Sequence, residues 1–186
     1  DATGVITLAN GGNSQGTLAM GAAGAALNLG TGNLVLGSDY TNAAAGTGNA
    51  FDRRAGVTGT GQIVAGGNAA QAITGAGVTG GNTANATLTL GNVRVGTTTY
   101  NVQIANTGST GPTLRGALQT AVNGGNISDA RLSGSGVTAA NYIAGGPGGN
   151  SGNLAINFTA ASAGALAPLN GQAVNLRSNF ENIADQ

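Results

Sequence analysis

Apolar positions in this chain come in short clusters separated by Gly and Asn, never in long runs. From Asp1 to about Gly81 the clusters are Val5-Ile6-Thr7-Leu8, Leu18-Ala19-Met20, Leu27-Asn28-Leu29, Leu34-Val35-Leu36, Val57, Ile63-Val64, Ile73 and Val78. Such runs predict many short strands, with Gly and Asn at the corners because both tolerate positive φ. The spacing between clusters is uneven, which predicts a short, irregular parallel β-solenoid or a meander rather than a strict hexapeptide or nonapeptide repeat. Ala22 to Leu27 is the one segment here that tempts as a helix. Gly21, Gly24 and Gly30 each cost about 1 kcal/mol relative to Ala in a helix, so the segment is read as strand and turn.

From Thr87 onward the alternation is cleaner. Thr87-Leu88-Thr89-Leu90 and Asn92 to Val95 read as strands, and Tyr100, Val102 and Ile104 share one face of another. Leu154, Ile156 and Phe158 do the same in Asn153 to Phe158. Leu169-Asn170-Gly171-Gln172 predicts an Asn-Gly hairpin turn, followed by a strand from Ala173 to Leu176. Leu114, Leu118 and Val122 have helical spacing, so Thr113 to Val122 reads either as one or two turns of helix or as a strand interrupted by Gly116. Several short antiparallel strands in about a hundred residues describe an immunoglobulin-like β-sandwich. The expected fold is all-β in two parts meeting near Ala84: a Gly/Asn-rich β-solenoid-like part over 1–84 and an immunoglobulin-like β-sandwich over 85–186.

Composition sharpens this picture. The 186 residues are 40% hydrophobic, enough for a core, but only 3% aromatic, so that core is thin and filled by Ala, Val, Leu and Ile. Charged residues make up 6%, against about 25% in an ordinary globular protein. Six basic and six acidic side chains balance to zero, which leaves no electrostatic reason to expect nucleic acid or an anionic membrane as partner. Disordered chains combine low hydrophobicity with high net charge, and this one has neither. No apolar run reaches the ~18 residues of a membrane-spanning helix. The sequence begins at Asp1 with neither an initiator Met nor a leader, as a processed or excised segment would.

The candidate chemistry is sparse. There is no Cys, no His and no Lys, the side chains most used for proton transfer near neutrality, metal ligation and nucleophilic attack. Gly12-Asn13-Ser14-Gln15-Gly16 has the letters of a nucleophile elbow, but neither a His nor a Lys exists to activate Ser14. Gly75-Ala76-Gly77-Val78-Thr79-Gly80 has the letters of a dinucleotide-binding turn, yet Gly81-Asn82-Thr83 follows instead of an amphipathic helix, and a loop is expected. Asp1, Asp39, Asp52, Asp129, Glu181 and Asp185 are scattered, without a close pair for glycosidase chemistry. Asp52 beside Arg53 and Arg54 reads as a local ion pair or loop anchor. A Ca²⁺ ion on Asp39 or Asp52 would lack the Asp-rich loop such sites use. The sequons at Asn85, Asn126 and Asn157 are coincidental in a chain so rich in Asn and Thr. No catalytic residue, metal or cofactor is expected.

Leu90-Gly91-Asn92-Val93-Arg94-Val95-Gly96-Thr97-Thr98, followed by Ile104-Ala105-Asn106-Thr107-Gly108, resembles the start of the bacterial choice-of-anchor D immunoglobulin-like domain. Ala161-Ser162-Ala163-Gly164 and Ala173-Val174-Asn175-Leu176-Arg177-Ser178 resemble that group's closing strands. Upstream, Gly37 to Asn42, Gly48 to Phe51 and Val57 to Ile63 look like blocks that alternate with such domains in autotransporter-like and surface-anchored proteins. The chain departs from the pattern after Ser178, where Asn179-Phe180-Glu181 replaces the usual Asp-Gly turn. The resemblance implies a structural subunit or repeat of an extracellular bacterial surface filament or adhesin, without catalytic residues to carry over. Self-association head to tail through strand edges is the expected mode, with Asp1 to Leu8 and Arg177 to Gln186 as participants. The alternative is a carbohydrate- or surface-binding module, for which, without any Trp, only Tyr40, Tyr100 and Tyr142 could offer aromatic platforms. A variant of it, ice binding by a flat Thr/Asn face, would need a regular Thr-x-Thr ladder, and none is evident in the sequence. A third reading, a β-helical polysaccharide-active enzyme, is weakened by the shortage of charge.

Overall fold

A computed structural model describes residues 5–8, 27–36, 57–66, 68–121 and 124–178. The described residues are all-β, with one 3-10 turn at Ser135–Val137 and no α-helix. The first five strands are β1 (Val5–Leu8), β2 (Leu27–Asn28), β3 (Asn33–Leu36), β4 (Val57–Thr58) and β5 (Ile63–Ala65). They pair in parallel, β1-β3-β5 in one sheet and β2-β4 in another. Val5 lies opposite Asn33, Leu34 opposite Ile63 and Leu27 opposite Val57, offsets of 28, 29 and 30 residues. Successive clusters are unevenly spaced, but strands that stack on each other are not.

The corner between paired strands explains the register. Gly30-Thr31-Gly32 recurs as Gly59-Thr60-Gly61, and the second copy docks on the first: the Thr60 and Gly61 amides donate to the Gly30 carbonyl at 2.7 and 2.9 Å. A Cβ on Gly61 would overlap the Gly32 carbonyl oxygen, so only glycine lets the two turns close. The Asn33 side chain accepts from the Gln62 amide at 3.0 Å, adding a side-chain stitch between the same turns. Leu29, Leu34, Ile63 and Ala65 are buried beneath them. In the sequence the pattern reads Thr3-Gly4-Val5-Ile6-Thr7-Leu8, Thr31-Gly32-Asn33-Leu34-Val35-Leu36 and Thr60-Gly61-Gln62-Ile63-Val64-Ala65.

The remaining strands are β6 (Gln71–Gly75), β7 (Val78–Thr79), β8 (Thr87–Leu88), β9 (Gly96–Asn106), β10 (Leu114–Gln119), β11 (Leu132–Ser133), β12 (Ala140–Gly145), β13 (Leu154–Ala160) and β14 (Asn175–Ser178). All their pairings are antiparallel, in sheets ordered β11-β13-β9-β6 and β12-β10-β14 and a small β7-β8 pair. β6 precedes Ala84 but pairs across it, Ile73 opposite Ile104. Both larger sheets feed one apolar cluster: Ile104 from β9, Leu114 and Leu118 from β10, Tyr142 and Ala144 from β12, and Leu176 from β14. Ala65 of β5 belongs to the same cluster. Just beyond it, the Asn68 amide donates to Thr110 Oγ1 at 2.9 Å and the Thr107 amide to the Ala70 carbonyl at 3.0 Å. The end of the parallel stack is thus tied to the antiparallel sheets.

Several expectations change at this level. Within Thr113 to Val122 the structure forms strand β10, with Leu114, Gly116 and Leu118 buried in alternation. A spacing of four belongs to both the helical and the extended period, so Leu114 and Leu118 alone could not choose between them. Gly116 is required rather than disruptive: a Cβ there would overlap the Tyr142 hydroxyl and the Arg177 carbonyl of the neighbouring strands. Asn92 to Val95 is not a strand, and Val95 is 59% exposed. Alternation makes a strand only where a partner lies alongside. The Asn170-Gly171 turn forms, with Gly171 at φ +70°, but it joins irregular chain to β14 and closes no hairpin. The strand expected at Ala173 to Leu176 begins instead at Asn175, while Ala173 makes only an isolated bridge to Asn126. Leu18-Ala19-Met20 and the part of the helix-tempting segment before Leu27 lie outside the described residues.

Candidate functional site

Of the residues weighed for chemistry, Ser14, Asp1, Asp39, Asp52, Arg53, Arg54, Tyr40, Glu181 and Asp185 lie outside the described residues. Gly75 to Gly80 spans the end of β6, the Ala76-Gly77 turn and β7, with no helix after it. The described aromatic rings face inward. Tyr142 and Phe158 are buried, and half-buried Tyr100 donates its hydroxyl to the Leu90 carbonyl at 2.6 Å.

Asp129 is bound to Arg131, two residues along the chain. Arg131 Nε donates to Oδ1 at 2.9 Å and the terminal Nη2 to Oδ2 at 2.6 Å, while the Arg131 amide also donates to Oδ1. The side-chain hydrogen bonds, then the amide, hold the Asp129 carboxyl below its usual 3.8, at about 2. Arg131 also donates to the Ala167 carbonyl and lies over the Phe158 ring, 5.1 Å from its centre. A guanidinium committed to this many partners is a loop clamp. Gln172 completes the clamp, its Oε1 accepting from the Ser128 and Asp129 amides at 2.8 and 3.0 Å.

A second feature is a row of uncharged polar groups across β9 and β13. Thr97 and Thr159 are linked at 3.0 Å, Thr99 donates to Asn157 at 2.8 Å, and Gln103 donates to Asn153 at 2.8 Å. Alternate positions of β9, namely Thr97, Thr99, Asn101 and Gln103, carry this face while Val102 and Ile104 point into the core. The spacing is that of a Thr-x-Thr ladder extended by amides, a regularity legible only once the alternation is followed past Thr99.

The third feature lies between the sheets. An apolar cleft of about 370 Å³ is walled by Ile73, Val102 and Ile156 on one side and Leu118, Val174 and Leu176 on the other. Among the described residues, Thr87 and Gln172 are the polar side chains on its lining and no titratable group borders it. Leu88, Leu90, Ile127, Leu132, Leu169 and Val174 on its walls are only half-buried, so water reaches them. The cleft follows from composition. Facing sheets stand ~10 Å apart, and side chains no larger than Leu or Ile do not fill the middle. Sealed and empty, this volume would cost about 9 kcal/mol at ~24 cal/mol per Å³, comparable to the whole stability of a domain, about 5–15 kcal/mol.

Asn106, which the sequence offers only as part of the Ile104 to Gly108 block, is a buried polar anchor. It is 2% exposed, and its side chain donates to the Gly145 and Pro112 carbonyls at 3.1 and 3.4 Å while accepting from the Gly108 amide at 3.3 Å. Its backbone bonds Gly148 and Gly149, so one residue holds two loops at the end of β9. A polar residue closing an otherwise alternating strand was the available signal.

No protein-family model, curated protein or solved structure matches the chain. The likeness to choice-of-anchor D domains therefore rests on the sequence blocks alone.

Proposed function

We propose that this chain is a structural unit of an extracellular bacterial surface filament or adhesin, with a short β-solenoid joined to an immunoglobulin-like sandwich. The observation that carries the reading is the parallel stack β1-β3-β5, whose strands repeat at offsets of 28 and 29 residues on a recurring Thr-Gly corner. Stacks of this kind grow by adding equivalent turns, each contacting only its neighbours, and suit extended scaffolds. Among the described residues β1 pairs along one edge only, and an edge with few charges to blunt it accepts another strand. Without Cys or Lys, cohesion comes from backbone hydrogen bonds and apolar burial rather than disulfides or isopeptide links. The unit is read as structural, not catalytic.

Electron microscopy and sedimentation of the purified chain test this. Fibres, or oligomers that lengthen with concentration, are expected. A chain that stays monomeric at high concentration with both termini intact overturns it.

The second reading, a module binding a neutral glycan or other uncharged surface, is favoured by the polar row on β9 and β13. Against it, no described aromatic ring is exposed to stack on a sugar. Retention on a glycan array, lost in Asn101→Ala, would favour this second reading.

A further inference from the structure

We propose that the cleft between the two antiparallel sheets is a binding site for an uncharged aliphatic molecule, an alkyl chain of roughly a dozen heavy atoms at ~30 Å³ each. Its volume, about 370 Å³, falls inside the ~300–1,000 Å³ range of small-molecule pockets, and the half-buried walls provide an entry path. The chemistry of the lining selects the class. Among the described residues, aliphatic side chains from both sheets form the walls, with no titratable group to pair with a charged ligand and no aromatic ring for a flat one to stack on. Of the polar side chains, Gln172 is already committed to the Ser128 and Asp129 amides and to the Ser128 hydroxyl.

A peptide strand from another copy is a poorer occupant. β9 and β10, central in their sheets, are hydrogen-bonded along both edges, so a strand entering between them would bring its own amides and carbonyls to walls with no partners to offer. An alkyl chain brings no such groups, bends to fit, and removes from water the apolar walls that the thin core leaves uncovered.

The test uses 1-decanol with the full chain. Calorimetric titration should show saturable binding of one decanol per chain, and saturating decanol should raise the melting temperature by about 5 °C. Ile156→Phe and Val174→Phe fill the space from opposite sides, and each should weaken decanol binding at least tenfold. Absence of binding to the unmodified chain, or equal binding by the chain and both variants, overturns the proposal. Should the variants fail to fold, nuclear Overhauser contacts in the unmodified chain decide the matter. Contacts from decanol to the methyls of Leu118, Ile156 and Leu176 support the site, whereas contacts confined to outward-facing Val95 and Ile143 overturn it. If decanol is ignored while both variants abolish self-association, the cleft receives a neighbouring copy and the small-molecule assignment falls.

Discussion

The parallel stack and the antiparallel sheets use the same small alphabet in opposite ways. In the stack, one corner is used twice: Gly30-Thr31-Gly32 meets Gly59-Thr60-Gly61, with Leu34 paired to Ile63 beside it. Each turn meets its equivalent, so any one residue matters mainly to the next turn along. In the antiparallel sheets no such repetition exists, and the arrangement depends on individual fits: Gly116 beneath Tyr142, Asn106 between two loops, and Asp129 in the grip of Arg131. Repetition concentrates its demands at the shared corner, where Gly61 leaves no room for a Cβ, and holds the offset between paired strands at 28 to 30 residues. Individual fits allow irregular loops and an open cleft, at the cost of a few indispensable residues.

The largest expected effect breaks the second kind of order. Asn106→Ala removes three side-chain hydrogen bonds in a buried site and should cost about 3 kcal/mol in urea unfolding. A loss below about 1 kcal/mol would mean that the loops hold themselves. Next come two glycines that separate the regions. Gly61→Ala and Gly116→Ala should each cost about 2 kcal/mol through overpacking. Hydrogen exchange should quicken at β3 and β5 in the first and at β10, β12 and β14 in the second. The same pattern in both variants would show a single cooperative unit and erase the contrast.

A smaller effect concerns acid. Because the folded carboxyl of Asp129 titrates at about 2 rather than 3.8, its contribution is complete above the higher value and is lost as pH falls through the lower one. Asp129→Asn should therefore flatten the stability profile between those two pH values and leave hydrogen exchange in the stack unchanged. An unaltered acid profile would remove the clamp from the account. Smallest of all is the polar row. A double-mutant cycle of Thr99→Val and Asn157→Ala should give a coupling of about 0.5 kcal/mol. A value near zero would leave those side chains bound to water instead, and a free polar face suits the surface-binding reading better.

Much of the strand content was legible because its signals are local. Gly and Asn punctuation marked β1, β3 and β5, and alternation marked β9 and β13 with their inward residues Val102, Ile104 and Phe158. The thinness of the core followed from the aromatic content and is visible as the cleft. What was misread involved partners distant in sequence. Asn92 to Val95 alternates as well as a strand does but pairs with no strand among the described residues, and Ala173 finds only a single bridge.

By itself, then, the sequence determined that the described chain would be extended, finely divided and sparsely charged, since period-2 patterning, turn residues and composition act within a few positions. Tertiary structure alone decided that Thr113 to Val122 would supply β10, that β6 would pair across Ala84 and that Asn106 would be buried. The physical reason is that a strand's hydrogen bonds are all made to another segment: a helix carries its partners within four residues, whereas these strands find theirs across the fold.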